Sequence, residues 1–231
     1  MKKLAAVLAL ALSLSLTLTA CGGGNETPAP TQPAGNTPAA TEPAANAPAA
    51  EGEYTFRTDA TNKVVTENGT FGKDNVSGDV LVTSIGQSAD VSMLDALMKK
   101  VGATYTFNAT APADEVANYG TVILASGASS KGLGAAGIDA DGELARLTEL
   151  LDGAKSAGLT VIAMHTGGEA RRGELSDKFI TPIFEKADYA IVVTSGDEDG
   201  LMSGICASKG IPMDGIKSIS EVATVLPAAF K

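Results

Sequence analysis

The chain has 231 residues with 17 basic and 27 acidic side chains, which gives a formal net charge of −10 at pH 7 when its single histidine is neutral. So acidic a chain lacks the basic surface that attracts nucleic acid, and we expect no nucleic-acid partner. The same charge argues against adsorption to anionic lipid headgroups through a basic patch.

The first twenty residues predict an export leader. Lys2 and Lys3 precede an apolar run over residues 4 to 18, which is short for a membrane-spanning helix of about 20 residues. The junction Leu18-Thr19-Ala20-Cys21 resembles a bacterial lipobox. That resemblance implies a lipoprotein signal peptide over residues 1 to 20, lipid on Cys21, and an exported chain anchored to the outer face of a bacterial membrane. An uncleaved anchor and an ordinary secretory leader are the alternatives.

Residues 21 to 52 predict a disordered stalk behind the lipidated cysteine. From Gly22 to Gly52 the chain is rich in Pro, Ala and Thr and has no aromatic residue, Leu, Ile or Val. Such a segment cannot bury a core, so we expect a flexible, partly extended spacer. A Pro-rich recognition peptide is the alternative. Without Lys2 and Lys3 the mature chain has 15 basic and 27 acidic residues, a formal charge of −12.

Residues 53 to 231 are enough for one domain with a sizeable core. Short β-rich runs alternate with amphipathic segments along it. The predicted strands are residues 80–83, 104–107, 122–125, 161–164 and 190–193. Three of them are apolar throughout, as expected of strands buried on both faces.

Five helices are predicted from apolar stripes with helical spacing. Their stripes are Val91, Leu94, Leu97, Met98 and Val101; Leu144, Leu147, Leu151 and Ala154; Leu175, Phe179, Ile183 and Ala187; Leu201 and Ile205; and Val222 and Val225. Gly102, Gly158 and Gly210 follow three of them, where left-handed caps are expected. Cys206 has no disulfide partner once Cys21 is modified, so we expect a small buried hydrophobe.

The alternation of strands and helices predicts an α/β fold. Right-handed crossovers between successive strands would build a single doubly wound, mainly parallel sheet of five strands with helices on both faces, flavodoxin-like or Rossmann-like. Residues 54 to 78 are less regular, and a small added hairpin or edge is expected there.

A ligand site is predicted where the strands end, because ligands of such folds bind at the carboxyl ends of the strands. Loops rich in Gly and Ser follow the first, third, fourth and fifth predicted strands. The candidate ligand-binding residues are Ser84, Gln87, Ser88, Gly127, Ser129, Ser130, Lys131, His165, Gly167, Gly168, Arg171 and Arg172.

These residue types favour a small, anionic ligand. Glycines allow backbone N–H groups to approach it, hydroxyls donate to its oxygens, and Lys131, Arg171 and Arg172 supply positive charge. The alternative is structural: Ser and Gly make tight turns, Asp90 caps a helix, and the arginines pair with Glu169 or Glu174.

Several sharper motifs are incomplete, and we predict no cofactor and no metal. The run from Gly132 to Gly137 spells the dinucleotide pattern G-x-G-x-x-G, but it follows the third strand rather than the first. The Gly-Lys-Ser/Thr order of a phosphate loop is absent. Asp139 and Asp197 each start an acidic run that suits a helix start better than a calcium loop.

His165 is the only histidine and a candidate acid, base or hydrogen-bond donor at the end of a strand. One histidine cannot build the usual catalytic zinc sites. No loop serine lies in a G-x-S-x-G elbow or a Ser-x-x-Lys pattern, so we expect binding rather than catalysis.

The runs Gly127-Ala128-Ser129-Ser130-Lys131-Gly132-Leu133-Gly134 and His165-Thr166-Gly167-Gly168-Glu169-Ala170-Arg171-Arg172-Gly173-Glu174 resemble an uncharacterised family of exported bacterial α/β domains. The likeness covers about residues 78 to 231 and implies no activity. We therefore expect a tethered lipoprotein that binds a small anion at its strand ends. Two alternatives stay open: an interaction module that docks on an envelope protein, and a hydrolase or transferase that uses His165.

Overall fold

The computed structural model describes residues 71–230 and the backbone of two short segments, 56–58 and 64–66. These segments are strands β1 (Phe56–Thr58) and β2 (Val64–Thr66), which pair antiparallel. The pairing agrees with the small hairpin expected between residues 54 and 78. The predicted leader, the lipid on Cys21 and the stalk lie outside the described residues.

A parallel sheet of six strands forms the centre of the described domain. The strands are β3 (Val80–Ile85), β4 (Thr106–Phe107), β5 (Thr121–Ser126), β6 (Thr160–His165), β7 (Tyr189–Val193) and β8 (Met213–Ile216). Their order across the sheet is β4-β3-β5-β6-β7-β8. All five predicted strands are present, but the predicted number is one too low. Strand β8 was not predicted because Asp214 and Gly215, which are uncommon in strands, interrupt its apolar pattern.

Seven α-helices connect and follow these strands in the described ranges. They are α1 (Asp90–Val101), α2 (Ser130–Ala136), α3 (Ala140–Ser156), α4 (Glu174–Lys186), α5 (Leu201–Lys209), α6 (Val222–Val225) and α7 (Pro227–Phe230). The expected left-handed glycines are confirmed, with φ of 74° at Gly102, 73° at Gly158 and 68° at Gly210. No helix in this part of the chain has the length and hydropathy needed to cross a bilayer.

Helices cover both faces of the sheet, as expected. On one face, α3, α4 and α5 belong to one buried apolar cluster with Leu81 and Ile85 of β3. On the other face, α1 and α6 belong to a second buried cluster with Val80 and Val82 of the same strand. Because successive strand side chains point to opposite faces, the apolar strands supply both cores at once.

The strand order reverses between β3 and β5. From β3 the chain runs through α1 to the edge strand β4, and it then returns past β3 to pair β5 with it, Ser84 opposite Ala125. The connections that leave β3 and β5 therefore diverge to opposite faces of the sheet. Such a reversal opens a crevice at the carboxyl ends of two adjacent strands.

Candidate functional site

Three loops meet at the carboxyl ends of the central strands, and we call them the rim: residues 86–90 after β3, 127–131 after β5 and 166–172 after β6. Backbone hydrogen bonds join the first two. The N–H of Gly127 donates to the carbonyl of Ile85 over 3.1 Å, and the N–H of Ser129 donates to the carbonyl of Gly86 over 2.9 Å. These main-chain hydrogen bonds stabilise part of the rim without help from exposed side chains.

Gly132 lets helix α2 approach the loop after β3. A Cβ atom at this position would fall far inside contact distance of the Gln87 carbonyl oxygen. The glycine-rich run that spells a dinucleotide pattern is therefore helix α2 and its cap at Gly137. The sequence analysis missed this helix because two glycines weaken the helical pattern.

Gln87 is the single non-glycine residue with positive φ in the described part of the chain, at 55°. Its side-chain amide donates to the carbonyl of Ala109 and to Oε1 of Glu143, each over 3.1 Å. The amide nitrogen is therefore engaged within the protein. These two bonds stabilise the loop after β3.

Glu143 and Arg146 form a buried ion pair beneath the same loop, which the sequence analysis did not find. Glu143 is fully buried and accepts hydrogen bonds from the N–H of Gly86 over 2.7 Å and from Nε of Arg146 over 2.8 Å. Arg146 also donates to the carbonyls of Ser84 and Ala111. Burial alone would raise the pKa of Glu143, but Arg146 and the Gly86 N–H outweigh it and hold the pKa below its ordinary value.

Arg171 joins the loop after β6 to the loop after β3. Its Nε donates to Oδ2 of Asp90 over 3.1 Å, and the same oxygen accepts the Ser88 hydroxyl over 2.9 Å. Neither terminal nitrogen of this guanidinium has a partner among the described residues, and the side chain is 32% exposed. Gly127 and Gly167 pack beside the pair, since a Cβ on Gly167 would come within 2.6 Å of Asp90 Oδ2.

Lys131 is the second available cation of the rim. It lies in the first turn of α2, is exposed, and has no hydrogen bond or ion pair within the described ranges. Ser130 beside it is also exposed. Ser129 is engaged as the N-cap of α2, because its hydroxyl accepts the N–H of Gly132 over 3.0 Å. A ligand at this rim would find Lys131, Ser130 and Arg171 accessible.

Arg172 is a structural clamp, although it adjoins Arg171. Its Nε donates to Asp177 over 2.8 Å, its terminal nitrogens pair with Asp199 over 2.8 and 2.9 Å, and it also donates to the carbonyl of Gly196. The Asp199 and Asp177 bonds raise the pKa of this already basic group. The expected alternative partners of the two arginines, Glu169 and Glu174, are not the ones observed. All donors of Arg172 are engaged, which leaves it little capacity for a ligand.

His165 is fully buried at the end of β6. Nδ1 lies 3.2 Å from the carbonyl of Ser126, and Nε2 lies 3.1 Å from the carbonyl of Gly168. Burial lowers the pKa of the imidazole, and the two carbonyls oppose the shift only in part. Both ring nitrogens face main-chain oxygens, so the ring links the end of β5 to the loop after β6 and offers no nitrogen to the rim surface.

Two of the remaining predicted contacts, Ser84 and Gly168, are buried. The neighbouring Ser126, which was not predicted to bind a ligand, donates its hydroxyl to the carbonyl of Met164 over 3.0 Å. Ser84 is fully buried, and its hydroxyl has no hydrogen-bond partner in the described part of the chain. Gly168 packs against the loop after β7, because a Cβ there would lie 2.6 Å from Oγ of Ser195. These residues shape the rim from beneath.

Two acidic runs start helices, as expected. Asp139 accepts the N–H of Gly142 over 2.7 Å, and Asp197 accepts the N–H groups of Met202 over 2.7 Å and Ser203 over 3.0 Å. Burial raises the pKa of Asp197 even though these bonds oppose the shift. Across the described residues, no group of three or more His, Cys, Asp or Glu side chains is arranged to hold a metal ion.

Two surface clefts lie at the amino ends of the strands, opposite the rim. One of about 450 Å³ is lined by Lys155, Lys186 and Lys209 near the ends of α3, α4 and α5. The other, of about 390 Å³, is lined by Asp79, Tyr105 and Tyr119 at the beginnings of β3, β4 and β5.

Comparison with known proteins supplies a family but no activity. Comparison with curated proteins gave no match, and comparison with solved structures gave none either. Residues 77–230, which include the whole parallel sheet and the rim, match a family described as Domain of unknown function (DUF6305). The match covers more than half of the 231 residues. The chain therefore belongs to this family, whose fold, as seen here, is a six-stranded parallel α/β sheet.

Proposed function

We propose that this protein is an exported, lipid-anchored binding protein whose rim captures a small anionic ligand. The observation that carries the proposal is Arg171. Its Nε is fixed by Asp90, its two terminal nitrogens are unpaired within the described residues, and it lies where three strand-end loops meet. A guanidinium held in this way is preorganised to bind a carboxylate or phosphate through two parallel hydrogen bonds.

The sheet topology supports this location. Numbered within the sheet, the strand order is 2-1-3-4-5-6, which extends the flavodoxin-like order 2-1-3-4-5 by one strand. We therefore assign the domain to the flavodoxin-like class. In that class ligands bind beside the first and third strands, which here are β3 and β5, and the rim follows these two strands.

The charge distribution supports an anion. The whole chain is acidic, with 27 acidic against 17 basic residues, yet Lys131 and Arg171 lie on two loops that contact each other at Gly127. Lys131 has no acidic partner among the described residues, and Arg171 uses only its Nε on Asp90. A negatively charged ligand would give Lys131 an ionic partner and would accept hydrogen bonds from the two terminal nitrogens of Arg171.

Binding fits the site better than the two alternatives. A hydrolase or transferase needs an accessible acid or base, and both ring nitrogens of His165 are buried against carbonyls. An envelope interaction module calls for a broad apolar patch. In the described part of the chain, only Met93 and Phe107 are large apolar side chains with substantial exposure.

The experiment is a thermal-shift screen of the full chain, purified with its lipid in detergent, against phosphate, sulfate, succinate, citrate and other small anions. A ligand that binds only the folded state raises the melting temperature. For the best anion, calorimetric titration should show at least about tenfold weaker binding, roughly 1.4 kcal/mol, in Lys131→Ala and in Arg171→Gln. Lys100→Ala, an exposed lysine at the far end of α1, is the matched control and should bind as the wild type does. Equal affinity in all four proteins would refute this location of the site.

The anchoring part of the proposal has its own test. Cys21→Ser removes the thiol that the lipobox-like junction would modify. We expect the wild-type chain in the membrane fraction of a bacterial host and the variant in the soluble exported fraction or retained with an uncleaved leader. A wild-type chain that needs no detergent for extraction would contradict lipid anchoring.

A further inference from the structure

Asp90 gives the rim a negative charge beside its cations. Its Oδ2 accepts both the Ser88 hydroxyl over 2.9 Å and Nε of Arg171 over 3.1 Å. Its Oδ1 has no hydrogen-bond partner among the described residues, and the side chain is 15% exposed. A carboxylate oxygen placed in this way is an acceptor for a group that arrives from solvent.

Arg171 supplies hydrogen-bond donors and a positive charge beside the Asp90 carboxylate. Only its Nε donates to Asp90, so its two terminal nitrogens remain as two neighbouring donors on a side chain that is 32% exposed. Because Asp90 and Arg171 are joined by one hydrogen bond, the unpaired oxygen and the unpaired nitrogens are only a few ångströms apart. The rim therefore offers one anionic acceptor and one two-donor cation as neighbours.

A purely anionic ligand complements Arg171 but not Asp90. It would bind the guanidinium but would lie against the Asp90 carboxylate, and like charges at close range disfavour each other. A ligand that carries an ammonium group and a carboxylate on one carbon satisfies both halves. Its carboxylate accepts from the terminal nitrogens of Arg171, and its ammonium donates to Oδ1 of Asp90.

We propose that the ligand of this rim is a zwitterion of the α-amino-acid class, with Asp90 as the residue that selects for its ammonium group. The inference rests on the proposed function and narrows it. Lys131 begins α2 on the loop that contacts Arg171 at Gly127, and it is then available for a second acidic group on the ligand side chain, which favours acidic amino acids over apolar ones.

The experiment compares matched ligands on the full chain in detergent by calorimetric titration. The standard amino acids are screened first, and the best of them is compared with its deaminated carboxylate and with its amide. We expect both analogues to bind at least about tenfold more weakly, because each leaves one half of the ion pair unmatched. This comparison uses only the wild-type protein, so it does not depend on any variant folding.

The variant Asp90→Asn tests the assigned residue. Its amide oxygen can still accept from Arg171 and Ser88, so the loops keep their connection, but the negative charge is lost. We expect the amino acid to lose its advantage over the deaminated carboxylate, while the carboxylate alone binds as well as before or better. Asp95→Asn is the matched control, since Asp95 is also an ion-paired carboxylate on α1 but pairs with Lys99 away from the rim.

The outcomes separate the two proposals. Deaminated carboxylates that bind as tightly as the amino acids would overturn the zwitterion inference and leave an anion site at the rim. An unchanged preference in Asp90→Asn would overturn the role of Asp90. If neither amino acids nor small anions bind, both the zwitterion inference and the proposed function are wrong, and the Asp90 and Arg171 pair is only a structural ion pair.

Discussion

Replacing Glu143 by Gln should destabilise the domain by about 3 kcal/mol, because removal of one partner from a buried ion pair leaves the other charge without compensation. The carboxylate is fully buried and accepts four hydrogen bonds, from the Gly86 N–H, the Gln87 amide and two nitrogens of Arg146. Losses for such pairs run from about 3 to 5 kcal/mol. The Arg146 side chain is 12% exposed, so water relieves part of the penalty and the lower end of that range applies.

The assay is urea unfolding of the full chain followed by far-ultraviolet circular dichroism. Glu149→Gln is the matched control, because Glu149 is an exposed glutamate on the same helix and its replacement should change stability by less than about 0.5 kcal/mol. An equally small effect of Glu143→Gln would refute the view that this ion pair holds the loop after β3.

The pH dependence of the same pair follows from the lowered pKa of Glu143. A carboxylate whose pKa is lower in the folded state contributes stability that is fully present above its unfolded pKa of about 4.3 and is lost as the pH falls through its folded pKa. The difference between the wild type and Glu143→Gln should therefore be full at pH 7 and shrink below about pH 4. A difference that stays constant down to pH 3 would contradict this.

Three further predictions concern close packing and buried groups in the domain. Gly132→Ala should lower the free energy of unfolding in urea by about 1 to 3 kcal/mol, because its Cβ would strike the Gln87 carbonyl. Gly134→Ala is the control: it has open space around it and should raise the free energy of unfolding by about 0.5 to 1 kcal/mol. Equal effects of the two substitutions would contradict the close approach of α2 to Gln87. The lowered pKa of His165 means that stability is retained above its unfolded pKa of about 6.5 and declines as the pH falls below that value. His165→Gln should lower stability at pH 7 and flatten its decline between pH 6.5 and 5, and an unchanged slope would argue against the burial of a neutral ring. Cys206 is fully buried, and burial raises the pKa of its thiol to about 12, so iodoacetamide should alkylate it only after unfolding. Rapid labelling of the peptide that contains Cys206 in the native protein would contradict that environment.

The sheet could be predicted because its strands are apolar runs between helical stripes. Val122 to Ala125 and Ile191 to Val193 are buried on both faces, and no other element type suits such short runs between turns. Strand β8 could not be found in this way, since Asp214 and Gly215 are buried by the tertiary structure rather than by any local pattern. Helix α2 was hidden by the same glycine that permits its close packing on Gln87.

The location of the candidate site followed from topology, but its chemistry did not. Arg171 and Arg172 cannot be told apart in the sequence. In the structure Arg172 is hydrogen-bonded to Asp177 and Asp199, whereas Arg171 keeps two nitrogens available. The partner of Arg171 is Asp90, 81 residues away, and no local spacing indicates that pair. Glu143 and Arg146 are three residues apart on one helix, a spacing typical of a surface ion pair, and only the fold shows that it is buried.

The most direct test of a rim that captures a small ligand is native mass spectrometry of the full chain released gently from membranes, with identification of any small molecule that dissociates from it. The account predicts a stoichiometric adduct that carries a carboxylate or another anionic group, retained by Lys100→Ala and lost from Arg171→Gln. An adduct of equal occupancy in Arg171→Gln would contradict the account, because the ligand would then be bound somewhere other than the rim.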